Sequence, residues 1–196
     1  MSDKDLYIIS GCNGAGKTTA AGTLLPMSYK CIEFVNADEI ARGISPFNPT
    51  AVAIEAGKIM LNRIRELLSD NLSFAIETTL AAKSYVNLIE EAQVHGYKVT
   101  LVYFWLKSTQ LACRRVAKRV SLGGHDIPRQ DIIRRYYRGI DNFFNLYKGI
   151  VDSWMLVDNS VSPRELIAYG GRDKEEVILN EIKFIMVKQN VGRRIR

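Results

Sequence analysis

Gly11-Cys12-Asn13-Gly14-Ala15-Gly16-Lys17-Thr18 is the stretch that decides the fold of this 196-residue chain. It fits G-x-x-x-x-G-K-[ST], a pattern whose glycines let the backbone curl until its N–H groups face a phosphate. The apolar run directly before it, residues 6–10 (LYIIS), reads as a buried strand. The segment after it, residues 17–25, is expected to be a helix stopped by Pro26. Strand, glycine-rich turn and helix in that order form a phosphate-binding loop, to which the helix adds its positive N-terminal end. Lys17 is placed to reach β- and γ-phosphates, the Thr18 hydroxyl is a Mg²⁺ ligand, and Thr19 completes the cradle. ATP and Mg²⁺ are therefore the expected cofactors.

Working outward, short apolar runs alternate with helical periodicity. Strands are expected at 32–36, 72–76, 99–105, 154–157 and 166–169. Helices are expected at 50–70, with Ala53, Ala56, Met60, Ile64 and Leu67 on one face, and at 83–95, 109–120, 129–147 and 174–188. Nearly continuous apolar strands suit a parallel sheet covered on both faces. The fold class is thus α/β: a three-layer P-loop NTPase fold, a mainly parallel sheet of five or six strands, helices on both faces and a helical lid. No repeat or linker interrupts the chain, so residues 1–196 are read as one domain, with a lid at about 108–148 and a C-terminal helix and basic tail at about 174–196.

Composition narrows the class. Hydrophobic residues at 47% and charged residues at 24% exclude a disordered chain. No run of about 18 apolar residues offers a membrane span, and MSDKDLYIIS is no secretory signal. The three cysteines, Cys12, Cys31 and Cys113, form neither a disulfide framework nor a metal pattern, which points to a cytoplasmic protein. The net charge is +6, yet the segment 107–138 alone holds nine basic and two acidic residues. Arg115 and Arg119 share a helix face, the loop SLGGHDIP follows, and Arg134 and Arg135 lie on the next helix. Two basic helices joined by a glycine-containing loop make a lid able to close on phosphate, where the arginine fork reads phosphate oxygens. Two of these four arginines are expected to face the phosphates. His125 is either a further phosphate contact or an ordinary loop residue.

Three features place the chemistry among P-loop proteins. The N/T-K-x-D motif of GTPases is absent. Leu122-Gly123-Gly124-His125 and Met155-Leu156-Val157-Asp158 imitate an ABC signature and a Walker B strand, but the signature serine and glutamine and the glutamate after Asp158 are missing. Asp38, in FVNADEIA, follows the second strand and opens onto the same crevice as the phosphate loop, where a carboxylate can take a proton from a substrate hydroxyl. Asp38 can equally be a helix N-cap, and Glu39 is the fallback base. Glu77, in ETTL after the third strand, is an acid ending an apolar run and needs a partner to offset desolvation. The reading is a small-molecule kinase. The alternatives are a kinase for another metabolite or a nucleic-acid end, with Tyr136, Tyr137, Phe143 and Phe144 as candidate stacking groups, and an acceptor-independent ATPase or nucleotide switch.

GCNGAGKTT, FVNADEIA, ETTL and RVAKRVSLGGHDIP with RRY after it together resemble the zeta-toxin family of P-loop kinases, and in particular its short, stand-alone bacterial branch, over about residues 5–160. The resemblance implies transfer of the ATP γ-phosphate to the 3′-hydroxyl of UDP-N-acetylglucosamine. It implies that Lys17 and the phosphate loop bind ATP and that Asp38 is the catalytic aspartate; Arg115 is added to the ATP site by its place on the basic lid helix. It implies that Glu77 and Thr79 bind substrate and that Arg119 is a lid arginine. The chain departs from the family pattern in two motifs. Thr78 and Ala81 stand where a glycine and an arginine are expected, and His125 or Arg135 replaces a second lid arginine. The implied partners are a nucleotide, a nucleotide-sugar acceptor and a separate antitoxin protein; neither a membrane nor nucleic acid is an expected partner.

Overall fold

The apolar run ahead of the glycine-rich turn is strand β1 (Lys4–Gly11), and Leu6, Ile8 and Ile9 within it are fully buried. In the computed structural model, which describes residues 4–124 and 126–193, β1 lies between β3 (Phe74–Thr78) and β4 (Tyr97–Trp105) and is parallel to both. β2 (Glu33–Val35) pairs with β3, and β5 (Ser153–Asp158) pairs with β4, again in parallel. β6 (Glu165–Gly171) and β7 (Lys174–Ile178) then add antiparallel strands, giving the order β2-β3-β1-β4-β5-β6-β7.

Among the described residues seven α-helices connect or flank the strands: α1 (Lys17–Ser28), α2 (Ala37–Ile44), α3 (Ala53–Ser69), α4 (Tyr85–Val94), α5 (Thr109–Ser121), α6 (Arg129–Asn145) and α7 (Glu181–Lys188). The chain moves outward from β1 to β2 and then back across the sheet. Right-handed crossovers therefore put α1 on one face and the helices of the return crossovers on the other. α3 buries Ala56, Met60, Ile64 and Leu67, the stripe its 3.6-residue period requires, while Ala53 at its start stays exposed. The α/β fold with a mostly parallel sheet is as the strand–helix alternation requires.

Four local expectations are corrected. Pro26 lies inside α1, which runs on to Ser28; the proline falls in the last turns, and the N–H it lacks would have bonded the carbonyl of the exposed Gly22 one turn earlier. The helix expected from residue 50 begins as a 3₁₀ turn, Pro49–Val52, before α3. The third strand is displaced toward the C-terminus, so Glu77 and Thr78 lie within β3 rather than after it, and Leu72 is exposed. The helix expected over 174–188 is two elements, β7 and α7, so the sheet has seven strands and mixed direction. Residues 174–178 (KEEVI) combine three good helix formers, Lys174, Glu175 and Glu176, with two good strand formers, Val177 and Ile178. Pairing with β6 across the two-residue loop Arg172-Asp173 decides for the strand.

Candidate functional site

Because β1 and β3 are in register, with Ser10 opposite Thr78, the phosphate loop and the β3–α4 connection leave the sheet side by side. β2 ends one position to the outside, delivering Asn36 and α2 to the same edge. Tight backbone packing shapes the loop itself. Gly11 has φ 138°, and a Cβ there would lie 2.3 Å from the Phe104 carbonyl oxygen. Gly16 has φ 78° and sits against Asn159, whose Nδ2 donates to the Ala15 carbonyl at 2.7 Å. Only glycine meets both demands at either position. Gly16 is also the N-cap of α1 and carries no capping side chain, so the first N–H groups of the helix remain available to an anion.

Inside this frame Lys17 is nearly buried, at 7% exposure. Its Nζ donates to the Cys12 carbonyl at 3.2 Å and stands 3.5 Å from Glu77 Oε1. Glu77 Oε2 accepts from the Thr18 hydroxyl at 2.8 Å. Burial pushes the Cys12 thiol up to about 12 against the opposing pull of Lys17, so it stays a neutral packing group. Asn36 caps α2: its Oδ1 accepts from the Asp38 N–H at 2.9 Å. The capping alternative for Asp38 is thereby overturned, and its carboxylate is exposed at the head of α2. Glu39, one residue on, is ion-paired with Arg42 at 3.2 Å.

The surface here is a cavity in two lobes that share Asn13, Lys17, Asn36, Asp38 and Glu77 as a common wall. One lobe, about 640 Å³, is walled by Gly14, Gly16, Thr18 and Thr19 on the loop side and by Arg115, Lys118 and Arg119 of α5 opposite. The other, about 770 Å³, is walled by Thr79, Ala81 and Lys83 from the β3–α4 connection and by Arg134, Arg135 and Arg138 of α6. α6 and the 3₁₀ turn after it (Tyr147–Gly149) brace that connection: the Asn142 side chain donates to the Leu80 carbonyl at 2.8 Å, and the Tyr147 hydroxyl to that of Ala82 at 2.6 Å. Leu80 is held at φ 59°, a conformation a leucine adopts only when its surroundings enforce it.

The expected arginines divide between the lobes. Arg115 and Arg119 line the phosphate-loop lobe, and Arg115 donates to the Ser160 carbonyl at 3.2 Å. Arg135 lines the second lobe and donates to Asn13 Oδ1 at 3.2 Å, tying α6 to the phosphate loop, while Arg134 pairs with Asp131 at 2.7 Å. Gly123 and Gly124 close the end of α5, their N–H groups donating to the Val120 and Arg119 carbonyls, so these glycines terminate a helix. His125 lies outside the described residues. The imitation Walker B strand is β5, but Asp158 at its end is engaged by Lys183 of α7 at 2.6 Å and by the Ser160 N–H at 2.8 Å. Burial pushes that carboxyl up, and these hydrogen bonds outweigh it and hold it below its ordinary value.

Arg138, Lys83, Lys118 and Asn159 belong to the cavity or its frame and were not singled out from the sequence. Arg138 was visible as the fourth residue after Arg134 on one helix. Asn159 carried no signal, because its partner is a backbone carbonyl 144 positions away. Among the described residues no three His, Cys, Asp or Glu side chains converge as a metal cage. The Thr18 hydroxyl beside the Glu77 carboxylate is nevertheless a hard-oxygen pair that fits Mg²⁺, an ion that takes few protein ligands and completes its shell with phosphates and water.

The family model described as Zeta toxin matches residues 2–149. An uncharacterized protein of Haemophilus influenzae is 30% identical over 138 residues, covering 70% of this chain and 94% of that protein. Among solved structures, a chain of the AvrRxo1-ORF1:-ORF2 complex with ATP superposes with a TM-score of 0.79 at 14% identity, over 99% of this chain. This chain spans 66% of that chain's length. The PezAT toxin–antitoxin system of Streptococcus pneumoniae gives a TM-score of 0.67 at 14% identity, covering 100% of this chain and 82% of that one. At such identities these two likenesses establish the fold.

Proposed function

The chain belongs to the zeta-toxin family, and from that premise we propose that it is an ATP-dependent kinase acting on a hydroxyl of a small acceptor, a nucleotide sugar of the UDP-N-acetylglucosamine kind. The observation that carries the reading is the shared wall. Two lobes of sufficient size for a nucleotide and a second small molecule meet at Lys17, Asp38 and Glu77, where a phosphoryl group would pass from one to the other.

The phosphate-loop lobe takes the donor. Backbone N–H groups of residues 13–18 and the Lys17 ammonium hold its phosphates, while Arg115 and Arg119 face them from α5. Mg²⁺, held by Thr18, supplies charge neutralisation at the phosphates when bound. The second lobe takes the acceptor, with Thr79 and Arg135 among its contacts. Asp38 accepts the proton of the acceptor hydroxyl as its oxygen bonds to the γ-phosphorus; the bond from that phosphorus to the bridging oxygen breaks, and ADP leaves. Asp38 suits the role because Asn36 has taken over the capping task, leaving the carboxylate at the junction. A separate antitoxin is the partner proposed with this activity, supported by the toxin–antitoxin setting of PezAT.

Incubation with γ-labelled ATP, Mg²⁺ and a metabolite extract, with mass spectrometry of the labelled product, tests the reading. Asp38→Asn is the paired control. It leaves the Asn36 cap intact, should retain ATP binding and melting temperature, and should lose a factor of about 10²–10⁴ in transfer rate, the usual worth of a general base. Unchanged transfer removes Asp38 from the chemistry, and ATP hydrolysis with no labelled acceptor favours an acceptor-independent ATPase.

A further inference from the structure

We propose that the outer face of α7 docks a second copy of this chain, the two α7 helices lying antiparallel across a twofold axis. α7 carries two apolar stripes. Phe184 and Val187 form the inner one and are buried, with Phe184 edge-on to Phe144 of α6 at 5.7 Å between ring centroids. The outer stripe is bare: Ile182 is 76% exposed and Ile185 54%, and Met186 stands beside them at the same helical spacing. Ile178, the last residue of β7, and Leu179 after it lead into this stripe, and both are exposed. Among the described residues the chain beyond α7 turns away from the face. Val191 packs against the core, and the Gly192 N–H donates to Asp141 of α6 at 3.1 Å. None of the stripe residues lines the cavity of the candidate site, so the surface goes beyond the proposed reaction and stands or falls without it.

Area and charge together name the occupant. Five side chains at these exposures leave roughly 500 Å² of apolar surface in water, as much as the largest patch of a typical monomer. One side of a standard interface buries about 800 Å², about 65% of it apolar between identical chains, which is the share this patch supplies. Glu181 and Lys188 lie one heptad apart, so they flank the stripe on the same side, and neither forms an ion pair among the described residues. When two such helices run antiparallel, the same flank of each faces the other. Glu181 then meets Lys188 of the second copy, and the pair forms twice. The same alignment brings Ile185 to the axis against its own copy and Ile182 against Met186. It also sets the positive end of each helix beside the negative end of the other. A face that complements itself in charge and shape of this kind fits a twofold pair of identical chains.

The experiment is sedimentation equilibrium of the full chain from about 1 μM to about 100 μM, a range that covers moderate to weak self-association. The wild type is expected to approach twice the 22.1 kDa of the single chain. Ile182→Glu and Ile185→Glu each put a charge into the stripe of both copies, so the dissociation constant should rise by about 10³-fold, two losses at the centre of the interface in every pair. Both positions are exposed in the single chain. At concentrations where the wild type is itself dissociated, the melting temperatures of variants and wild type should therefore coincide, which separates lost association from lost fold. Charge reversal tests the direction of the helices. Glu181→Lys alone sets like charges together and should weaken the dimer by about 10-fold, and adding Lys188→Glu should restore it. A wild type that stays monomeric over the whole range overturns the proposal and leaves the face to an unlike protein. A dimer that survives both isoleucine variants puts the interface elsewhere and overturns it equally. A dimer lost in the isoleucine variants but indifferent to both charge reversals overturns the antiparallel arrangement.

Discussion

In the lobe that carries the phosphate loop, recognition comes from backbone: consecutive N–H groups on a glycine-rich turn and the open end of α1, with one nearly buried lysine at 7% exposure fixed against the Cys12 carbonyl. The neighbouring lobe, the proposed acceptor side, is walled by long side chains, Arg134, Arg135 and Arg138 on α6 facing Lys83 across the cavity, and three of these four are exposed. A site made of backbone is rigid before its ligand arrives and accepts any ligand that presents phosphates to it. A site made of arginine and lysine side chains is ordered by its ligand and changes with single substitutions, so acceptor identity can diverge while the donor site is kept. The difference makes the loop lobe the preformed half of the site and the α6 lobe the half that would be ordered by its ligand.

The contrast is broken most severely by Lys17→Ala. It removes the one side-chain cation built into the loop floor and leaves Glu77 buried without its ion-pair partner. Phosphoryl transfer should fall below detection, and the melting-temperature rise produced by Mg·ATP should be largely lost. Full turnover would mean that the donor does not sit on this loop.

The two helices of basic residues sharpen it. Arg119→Ala, on the donor side, should lower kcat by an amount corresponding to about 2–4 kcal/mol, with ATP affinity changed less, because charge builds on the γ-phosphoryl only in the transition state. Arg138→Ala, on the acceptor side, makes no ion pair or hydrogen bond among the described residues and should fold normally. Its loss should appear as a raised acceptor KM worth about 1.5–3 kcal/mol with the ATP KM unchanged, the size of a hydrogen bond to a charged group. Steady-state kinetics varying each substrate in turn decides the matter; if Arg138→Ala alters the ATP KM, the lobes are not separate sites.

This division also explains what could be read from the chain. The phosphate loop was legible because every residue of it is contiguous and its conformation is enforced by glycines at fixed offsets. Asp38 was legible by position, but whether it caps its helix stayed open until Asn36 was seen to hold the cap. Glu77 could be picked out as an acid at the end of an apolar run, yet nothing local told which neighbour it meets; the β1–β3 register supplies that. The pairing of β7 with β6 was hidden because an edge strand draws its stability from a partner, and KEEVI followed by an apolar helix satisfies a helical period as well. Asn159 was invisible for the same reason on a smaller scale.

Asn159 is a modest break in the rigid half. Its side chain holds the Ala15 carbonyl and packs where any Cβ on Gly16 would fall. Asn159→Ala should loosen the loop by about 0.5–1.5 kcal/mol, one neutral hydrogen bond, and appear as a raised ATP KM with little change in acceptor KM. Equal shifts in both would mean that the loop conformation also positions the acceptor.

The smallest effect lies farthest from the ligands, where Lys183 of α7 bridges Asp158 at 2.6 Å and Glu165 at 2.7 Å. Asp158 also accepts from the Ser160 N–H, and the Ser160 carbonyl holds Arg115, so the cluster supports a donor-side arginine at one remove. Both carboxyls are held below their ordinary values of 3.8 and 4.5, Glu165 chiefly by hydrogen bonds from Lys183 and Asn180, and Asp158 by those from Lys183 and Ser160 overcoming burial. A depressed carboxyl contributes stability that is fully present above its unfolded value and is lost as pH falls through its folded value. Lys183→Met should therefore lower the melting temperature near neutral pH, and the gap to wild type should close as pH falls below the ordinary carboxylate values, where Asp158 takes up a proton and no longer needs a cation. Thermal melts of the two proteins across that range give the comparison. A gap that stays constant with pH would assign the loss to the packing of the lysine stem on β5 and α7, and would leave Arg115 held by the backbone of the 158–160 turn without help from charge.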